Sequence, residues 1–297
     1  MAPISSAALS NVDPRPDALP QFDLRDFIGR VLAEDLGTGG DVTSLATIDA
    51  GAVFVAEMNC REEIVVAGIH LAEAFFKALD ANVMVERKVE DGDKVPAGSP
   101  LMRLEGNARA MLAAERSALN TLQHLSGIAT LTRRYVDLIE GTGATLLDTR
   151  KTIPGLRLLE KYASRMGGAE NHRMRMDDGL LIKDNHIGVV GSVKAAVEAA
   201  VDADTNLTIQ VEVDRIDQIE EALAAGAERL LLDNMPPDTL REAIALVKGR
   251  VPLEASGGVN LDTIRGIAET GVDYISVGRI TQSAPAVDIG LDYTLQP

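Results

Sequence analysis

The feature that most constrains this chain is a repeated unit in its second half, a short apolar run ending on a polar or glycine-bearing signature. The runs lie at 145–147, 180–182, 209–213, 230–232, 251–253 and 274–277, with helix-like stretches between them. From the fourth onward they recur about every 22 residues, a spacing that suits a β/α unit in a parallel sheet. The signatures are Asp148-Thr149-Arg150-Lys151, Lys183-Asp184-Asn185, Asp214, Asp233-Asn234, Glu254-Ala255-Ser256-Gly257-Gly258 and Gly278-Arg279. Chemistry gathered at the carboxyl ends of consecutive parallel strands is how a barrel active site is built. Only six runs are found, so a complete eightfold barrel does not follow.

The first half reads differently. Residues 1–21 form a leader rich in Ala, Ser and Pro, expected to be flexible. Phe22, Leu24, Phe27, Ile28, Val31 and Leu32 carry a helical pattern that stops at Gly37. The loop 37–41 lacks the Lys-Ser/Thr ending of a P-loop and is read as turn chemistry. β-like runs at 52–58 and 62–67, a helix at about 70–79, and β-like runs near 82–89 and 100–104 make a small, sandwich-like α+β domain. Residues 108–139 give the longest helical signal, in which Gly127 marks either a break or a close packing contact. The predicted organisation is leader 1–21, α+β domain 22–127 including the start of the long helix, α/β barrel 128–285 and tail 286–297. Within the α+β domain, Asp91–Gly98 is similar to the turns of biotinyl and lipoyl carriers. No Lys stands there in a carrier's local sequence, and the likeness is read as turn chemistry.

Composition narrows the function. A net charge of −16 argues against nucleic-acid or anionic-membrane partners, which need a basic face. With 3% aromatic residues and no Trp, a base-stacking platform is not expected either. The lone Cys60 excludes an internal disulfide framework and is read as a core residue. No secretory h-region and no run of about 18 apolar residues is present, so the expected location is the cytosol.

Against this acidic background, residues 149–183 form a basic island. It holds Arg150, Lys151, Arg157, Lys161, Arg165, Arg173, Arg175 and Lys183. Arg157, Lys161 and Arg165 are expected on solvated helix faces, whereas Arg150, Lys151 and Lys183 directly follow strands. Several cations at one barrel mouth imply small polyanionic substrates. Ser256-Gly257-Gly258 and Gly278 suit the phosphate site that barrels place behind their last strands. Glu212 and Asp233 could bind ribose hydroxyls, hold Mg2+ or stabilise a cationic sugar. Glu212 could instead point outward or pair with a lysine in a core layer. Among the histidines, His70 and His124 are expected to be structural, His186 to order a loop, and His172 to belong to the site. Their scatter gives no zinc-ligand spacing.

These motifs carry a family resemblance. Glu115-Arg116-Ser117-Ala118-Leu119-Asn120 and the run from His124 through Ser126-Gly127 to Thr130 resemble quinolinate phosphoribosyltransferases. So do Asp148-Thr149-Arg150-Lys151-Thr152, Pro154-Gly155, Gly167-Gly168, Asn171-His172-Arg173 and Ile182-Lys183-Asp184-Asn185-His186. Val211-Glu212, Asp233-Asn234, Ser256-Gly257-Gly258, Ser276-Val277-Gly278 and the early Gly40-Asp41-Val42-Thr43 complete a series covering about residues 22–290. Met174-Arg175-Met176 is bulkier and more basic than the family pattern.

The resemblance implies an incomplete α/β barrel behind the N-terminal α+β domain, a tail that returns to that first domain, and a homodimer, or a higher assembly, in which Arg116 acts in trans. It implies that Arg116, Arg150, His172, Arg173 and Lys183 hold the carboxylates of quinolinate, with Thr149 and Lys151 lining the same pocket. Lys151 would also lie near the pyrophosphate of phosphoribosyl pyrophosphate. Glu212 and Asp233 would meet the ribose and Mg2+, directly or indirectly. Ser256, Gly257, Gly258, Val277, Gly278 and Arg279 would bind the rest of that substrate. The products would be nicotinate mononucleotide, pyrophosphate and CO2. The rivals are a related enzyme accepting a monocarboxylate ring such as nicotinate, a non-catalytic anion sensor on the same scaffold, and a carrier modified near Lys94.

Overall fold

The structure, a computed structural model, describes Leu19 and residues 22–293. The leader expected over 1–21 therefore lies outside the described residues, Leu19 apart, as does the end of the tail from 294. The described residues fall into two compact units. One comprises those up to Leu131, Leu158–Gly167 and those from Ala284 onward; the other comprises Thr132–Arg157 and Gly168–Ser283.

The first unit opens with α1 (Leu24–Leu36). Asp23 caps it by accepting the Asp26 N–H at 3.0 Å, and Leu24, Phe27, Ile28 and Leu32 are buried at steps of three and four. Asp41 caps the short α2 (Val42–Thr47) in the same way, accepting the Ser44 N–H at 3.0 Å. There follow β1 (Val53–Cys60), β2 (Ile64–Val65), α3 (Ile69–Leu79), β3 (Met84–Arg87), β4 (Lys94–Val95) and β5 (Pro100–Asn107). Lys94 sits inside β4, paired with Val65 and 3.1 Å from Glu63, rather than at a hairpin tip. Cys60 is buried in β1, as a core residue would be.

The long helix α4 (Ala108–Leu138) runs unbroken through Gly127. A Cβ there would lie 2.1 Å from the Pro285 carbonyl oxygen, so this glycine permits a close backbone approach and marks no break. On the same helix Ser126 Oγ accepts the Ala67 N–H at 3.0 Å and Thr130 Oγ1 accepts the Val65 N–H at 2.8 Å. Both hydroxyls thus satisfy buried backbone donors beside β2.

In the second unit, β6 (Thr145–Leu147) begins a parallel sheet. After α5 (Arg157–Met166), which from Leu158 on counts with the first unit, the chain continues through β7 (Leu180–Ile182), α6 (Asp184–Val190) and α7 (Val193–Asp202). The units β8 (Ile209–Val213), α8 (Asp217–Ala225), β9 (Arg229–Asp233), α9 (Pro237–Val247), β10 (Leu253–Ser256), α10 (Ile264–Ala268), β11 (Tyr274–Ser276) and α11 (Arg279–Gln282) complete it. The sheet order is β6-β11-β10-β9-β8-β7, with all neighbours parallel. These six strands make an incomplete α/β barrel.

One expected strand is displaced. The run at 251–253 contains Pro252, which has no N–H to donate, and the strand instead occupies Leu253–Ser256. The last strand, β12 (Ile289–Tyr293), belongs to the first unit, whose antiparallel sheet has the order β12-β1-β5-β3.

Two side chains of α5 depart from the expected solvated face. Lys161 is fully buried, together with Glu160 and Ser164. Glu160 bonds His124 at 2.9 Å, consistent with a structural histidine. Arg157 is half-buried and braces loops of the second unit, reaching Thr152 Oγ1 at 3.1 Å and the Met174 carbonyl at 3.3 Å. Arg165 is exposed, as read.

Candidate active site

Period-two alternation on parallel strands brings the strand-end signatures to one rim. A cavity of about 880 Å³ lies there, and it is lined entirely by residues of the second unit. It receives Thr149, Arg150 and Lys151 after β6, Lys183 after β7, Glu212 from β8 and Asp233 from β9. Ser256 ends β10 and is followed by Gly257 and Gly258, while Val277, Gly278 and Arg279 follow β11. His172 and Arg173 complete the wall. Every site residue named from the sequence is therefore in the lining except Arg116, which is exposed on α4 in the first unit.

The basic wall is positioned from below. Asp148, fully buried, accepts the His172 backbone N–H at 2.9 Å and a bond from the Asn171 amide. This ties the end of β6 to the Asn-His-Arg segment. Arg173 donates to the Gly179 carbonyl at 3.0 Å. Burial and the neighbouring positive charge of Arg150 hold its guanidinium below the usual arginine range. Arg150 Nε is buried with no hydrogen-bond partner among the described residues. Two guanidiniums close enough to repel form a place where an anion is stabilised. Lys183 bonds Glu212, so that carboxylate is both a rim residue and a lysine's partner. His186 Nδ1 accepts the Lys183 N–H at 2.9 Å and orders the start of α6.

The atypical Met174-Arg175-Met176 turn is closed by Asp178, which accepts the Met174 N–H at 2.7 Å and the Arg175 N–H at 3.1 Å. Met176 is 71% exposed and Arg175 pairs with Asp177 on the surface. Neither of them lines the cavity; Met174 borders an adjoining space of about 450 Å³.

Across the rim, the backbone itself is the binding element. Gly257 has φ +91°, and a Cβ on it would fall 2.3 Å from Asn234 Oδ1. Asn234, at φ +53°, donates to Asp233 Oδ2 at 2.7 Å and through its N–H to the Ser256 carbonyl at 2.9 Å. At Gly278 a Cβ would lie 2.6 Å from Lys151 Cδ, so the lysine stem runs over bare backbone. Thr281 Oγ1 holds the Lys151 carbonyl at 2.7 Å, and Ser276 and Ser256 hydroxyls bond at 2.9 Å.

Beneath the rim lies a polar layer to which the sequence reading gave no role. Glu254, fully buried, accepts from Gln210 Nε2 at 2.8 Å and Arg229 Nη2 at 2.9 Å. The Arg229 guanidinium stacks 4.0 Å from the Tyr274 ring centre. Burial works to raise the Glu254 carboxyl, but its interaction with His172, with hydrogen bonds from Ser276 and then Gln210 behind it, holds it below the usual carboxylate range. The available signal was polar residues at alternate positions of apolar strands, Gln210 and Glu212 in β8 and Glu254 and Ser256 in β10.

Comparison with known proteins is consistent across sequence and structure. Residues 128–292 match the family model described as quinolinate phosphoribosyl transferase, C-terminal domain, and residues 41–126 match its N-terminal domain. The chain is 45% identical over 281 residues to the nicotinate-nucleotide pyrophosphorylase [carboxylating] of Mycobacterium leprae (strain TN), covering 92% of this chain and 98% of that protein. It is 41% identical to the probable enzyme of the same name from Bacillus subtilis (strain 168), covering 92% and 94%. Among solved structures, nicotinate-nucleotide pyrophosphorylase from Francisella tularensis superposes with a TM-score of 0.88 at 39% identity, covering 96% of this chain and 99% of the other. The Ehrlichia chaffeensis protein gives a TM-score of 0.89 at 41% identity, covering 92% and 100%.

Proposed function

Because the chain belongs to the quinolinate phosphoribosyltransferase family, we infer from its residues how they divide that reaction. The enzyme is a pentosyltransferase of de novo NAD biosynthesis. It joins quinolinate to phosphoribosyl pyrophosphate and releases nicotinate mononucleotide, pyrophosphate and CO2. The observation that supports the assignment of roles is one cavity with a cationic wall, a glycine rim and two carboxylates between them.

Arg150, Arg173 and Lys183 hold the two quinolinate carboxylates, and Thr149 and His172 line the same wall. Their clamp fixes the pyridine nitrogen toward C1 of the ribose. Ser256, Gly257, Gly258, Val277, Gly278 and Arg279 take the 5′-phosphate, because only bare backbone lets N–H groups approach it closely. Lys151 lies toward the pyrophosphate. Glu212 and Asp233 face the sugar, where their charge stabilises the oxocarbenium character that grows as pyrophosphate leaves. Nitrogen attack on C1 gives a pyridinium, whose positive charge stabilises the electron pair left on C2 as the 2-carboxylate departs as CO2, and C2 then takes a proton from solvent.

The donor set fits Mg2+ carried largely by substrate oxygens, since Glu212 and Asp233 offer two carboxylates and Mg2+ is commonly bound by one or two carboxylates plus phosphates. When bound, it would neutralise pyrophosphate charge. The reading includes a homodimer completed by Arg116 from the other subunit, and a cytosolic location. No helix among the described residues is long and apolar enough to cross a membrane.

Incubating the protein with quinolinate, phosphoribosyl pyrophosphate and Mg2+ should yield nicotinate mononucleotide and CO2 in equal amounts. Faster turnover of nicotinate than of quinolinate would overturn the dicarboxylate clamp.

A further inference from the structure

We propose that Glu254 and His172 are positioning residues. In this reading Glu254 fixes the imidazole, and the imidazole fixes Arg173 for quinolinate without itself touching the substrate. The proposal rests on the dicarboxylate-clamp reading and deepens it.

The argument starts from the ring nitrogens of His172. Nδ1 lies 2.7 Å from the Arg173 backbone nitrogen. A backbone N–H can only donate, so Nδ1 is the acceptor and carries no proton. The ring proton therefore sits on Nε2, which faces Glu254 Oε2 at 3.3 Å. Both ring nitrogens are thus engaged by the protein, and neither is left to donate to a substrate carboxylate.

The second observation is the fixity of Glu254. It is fully buried, and Oε2 also receives Arg229 at 2.9 Å and Gln210 at 2.8 Å. Arg229 is itself seated against Tyr274. A carboxylate anchored from two other strands defines one imidazole orientation, as a carboxylate does behind a metal-ligating histidine. Glu254 is an anion and could only repel quinolinate directly. Its effect must pass through His172 to the Arg173 N–H, while the Arg173 side chain is held at its other end by the Gly179 carbonyl. The line Arg229–Glu254–His172–Arg173 crosses from the barrel interior to the clamp.

The test uses the full-length enzyme. Nitrogen-15 spectra of the His172 ring, recorded without substrate and saturated with quinolinate, should show an unprotonated Nδ1 and a protonated Nε2 in both states. Protonation of both nitrogens in the complex would overturn the proposal. In kinetics, Glu254→Gln should raise the quinolinate KM about tenfold or more. The KM for phosphoribosyl pyrophosphate should stay within about twofold. His172→Gln, whose amide can still donate to Glu254, should recover most of what His172→Ala loses. If His172→Gln is as impaired as His172→Ala, the imidazole itself contacts substrate and the proposal fails, even should Glu254→Gln prove unable to fold. Arg173→Ala separates the two readings. A raised quinolinate KM there with none in Glu254→Gln overturns the positioning role alone, whereas an unchanged KM in Arg173→Ala overturns the clamp.

Discussion

Alanine at Gly278 and at Gly257 should separate catalysis from stability. Gly278 has φ −69°, which any L residue adopts, so the backbone accepts a side chain there. Its new Cβ would lie 2.6 Å from Lys151 Cδ. Carbon atoms rest at about 3.5–4.0 Å, so the lysine stem must withdraw by about 1 Å. A shift of about 1 Å in a positioned group can cost about a hundredfold in rate. A flexible lysine recovers part of that, and kcat should fall about ten- to a hundredfold. The strained lysine costs about 0.5–1.5 kcal/mol, which offsets the ~0.4–1 kcal/mol that Gly→Ala contributes through the unfolded chain. The melting temperature of Gly278→Ala should therefore stay within about 3 °C of the wild type. Gly257 fails differently. At φ +91° its Cβ would meet Asn234 Oδ1 at 2.3 Å and the Asn234 backbone nitrogen at 2.9 Å, and that backbone cannot swing aside. The strain is about 1–3 kcal/mol, a fall of roughly 3–10 °C in melting temperature, with a raised KM for phosphoribosyl pyrophosphate. Steady-state kinetics and thermal melts on both variants are the assay. Wild-type turnover in Gly278→Ala, or a fall in its stability matching that of Gly257→Ala, would refute the reasoning.

Three further outcomes follow from the assignment of roles. Arg173→Ala should weaken quinolinate far more than phosphoribosyl pyrophosphate, since a charge-assisted carboxylate contact is lost; equal losses in the two Kd values would remove Arg173 from the clamp. Asp233→Asn should leave quinolinate affinity intact and slow turnover, because the proposed role of the lost charge is to face the ribose; an unchanged kcat would end that assignment. Arg116→Ala and Lys183→Ala should each be nearly inactive, yet if Arg116 acts in trans co-refolding should restore one site in each mixed dimer, about a quarter of all sites in the mixture. Activity that stays at the parental level while mixed dimers are demonstrated would show that Arg116 does not act in trans.

What could be read from the sequence divides along a physical line. The rim was legible because each strand end pairs an apolar run with a functional signature, and a parallel sheet brings such ends together whatever the exact register. That is why Thr149, Lys183, Glu212, Asp233, Ser256 and Gly278 share one cavity. Even the misplacement of β10, set at 251–253 and found at Leu253–Ser256, left its signature at the rim. The layer beneath was not legible, because a charged residue in a strand faces core or solvent according to a parity that one sequence does not fix. Glu254 and Arg229 join only once β9 and β10 are paired, with Leu231 opposite Glu254. The same limit hid Lys161, since helix periodicity alone does not say which neighbour covers a lysine. For His172 the difference is one of role rather than place. Sequence puts an imidazole beside Arg173 within a basic island and suggests a ligand for anions. Which of its nitrogens still has a hydrogen to offer depends on the Arg173 N–H on one side and Glu254 on the other. Recognition of quinolinate would then rest on arginines whose placement is set two layers deep in the barrel. For that reason substitutions at Glu254 or Arg229 should register in the quinolinate KM before they register in the chemistry at C1.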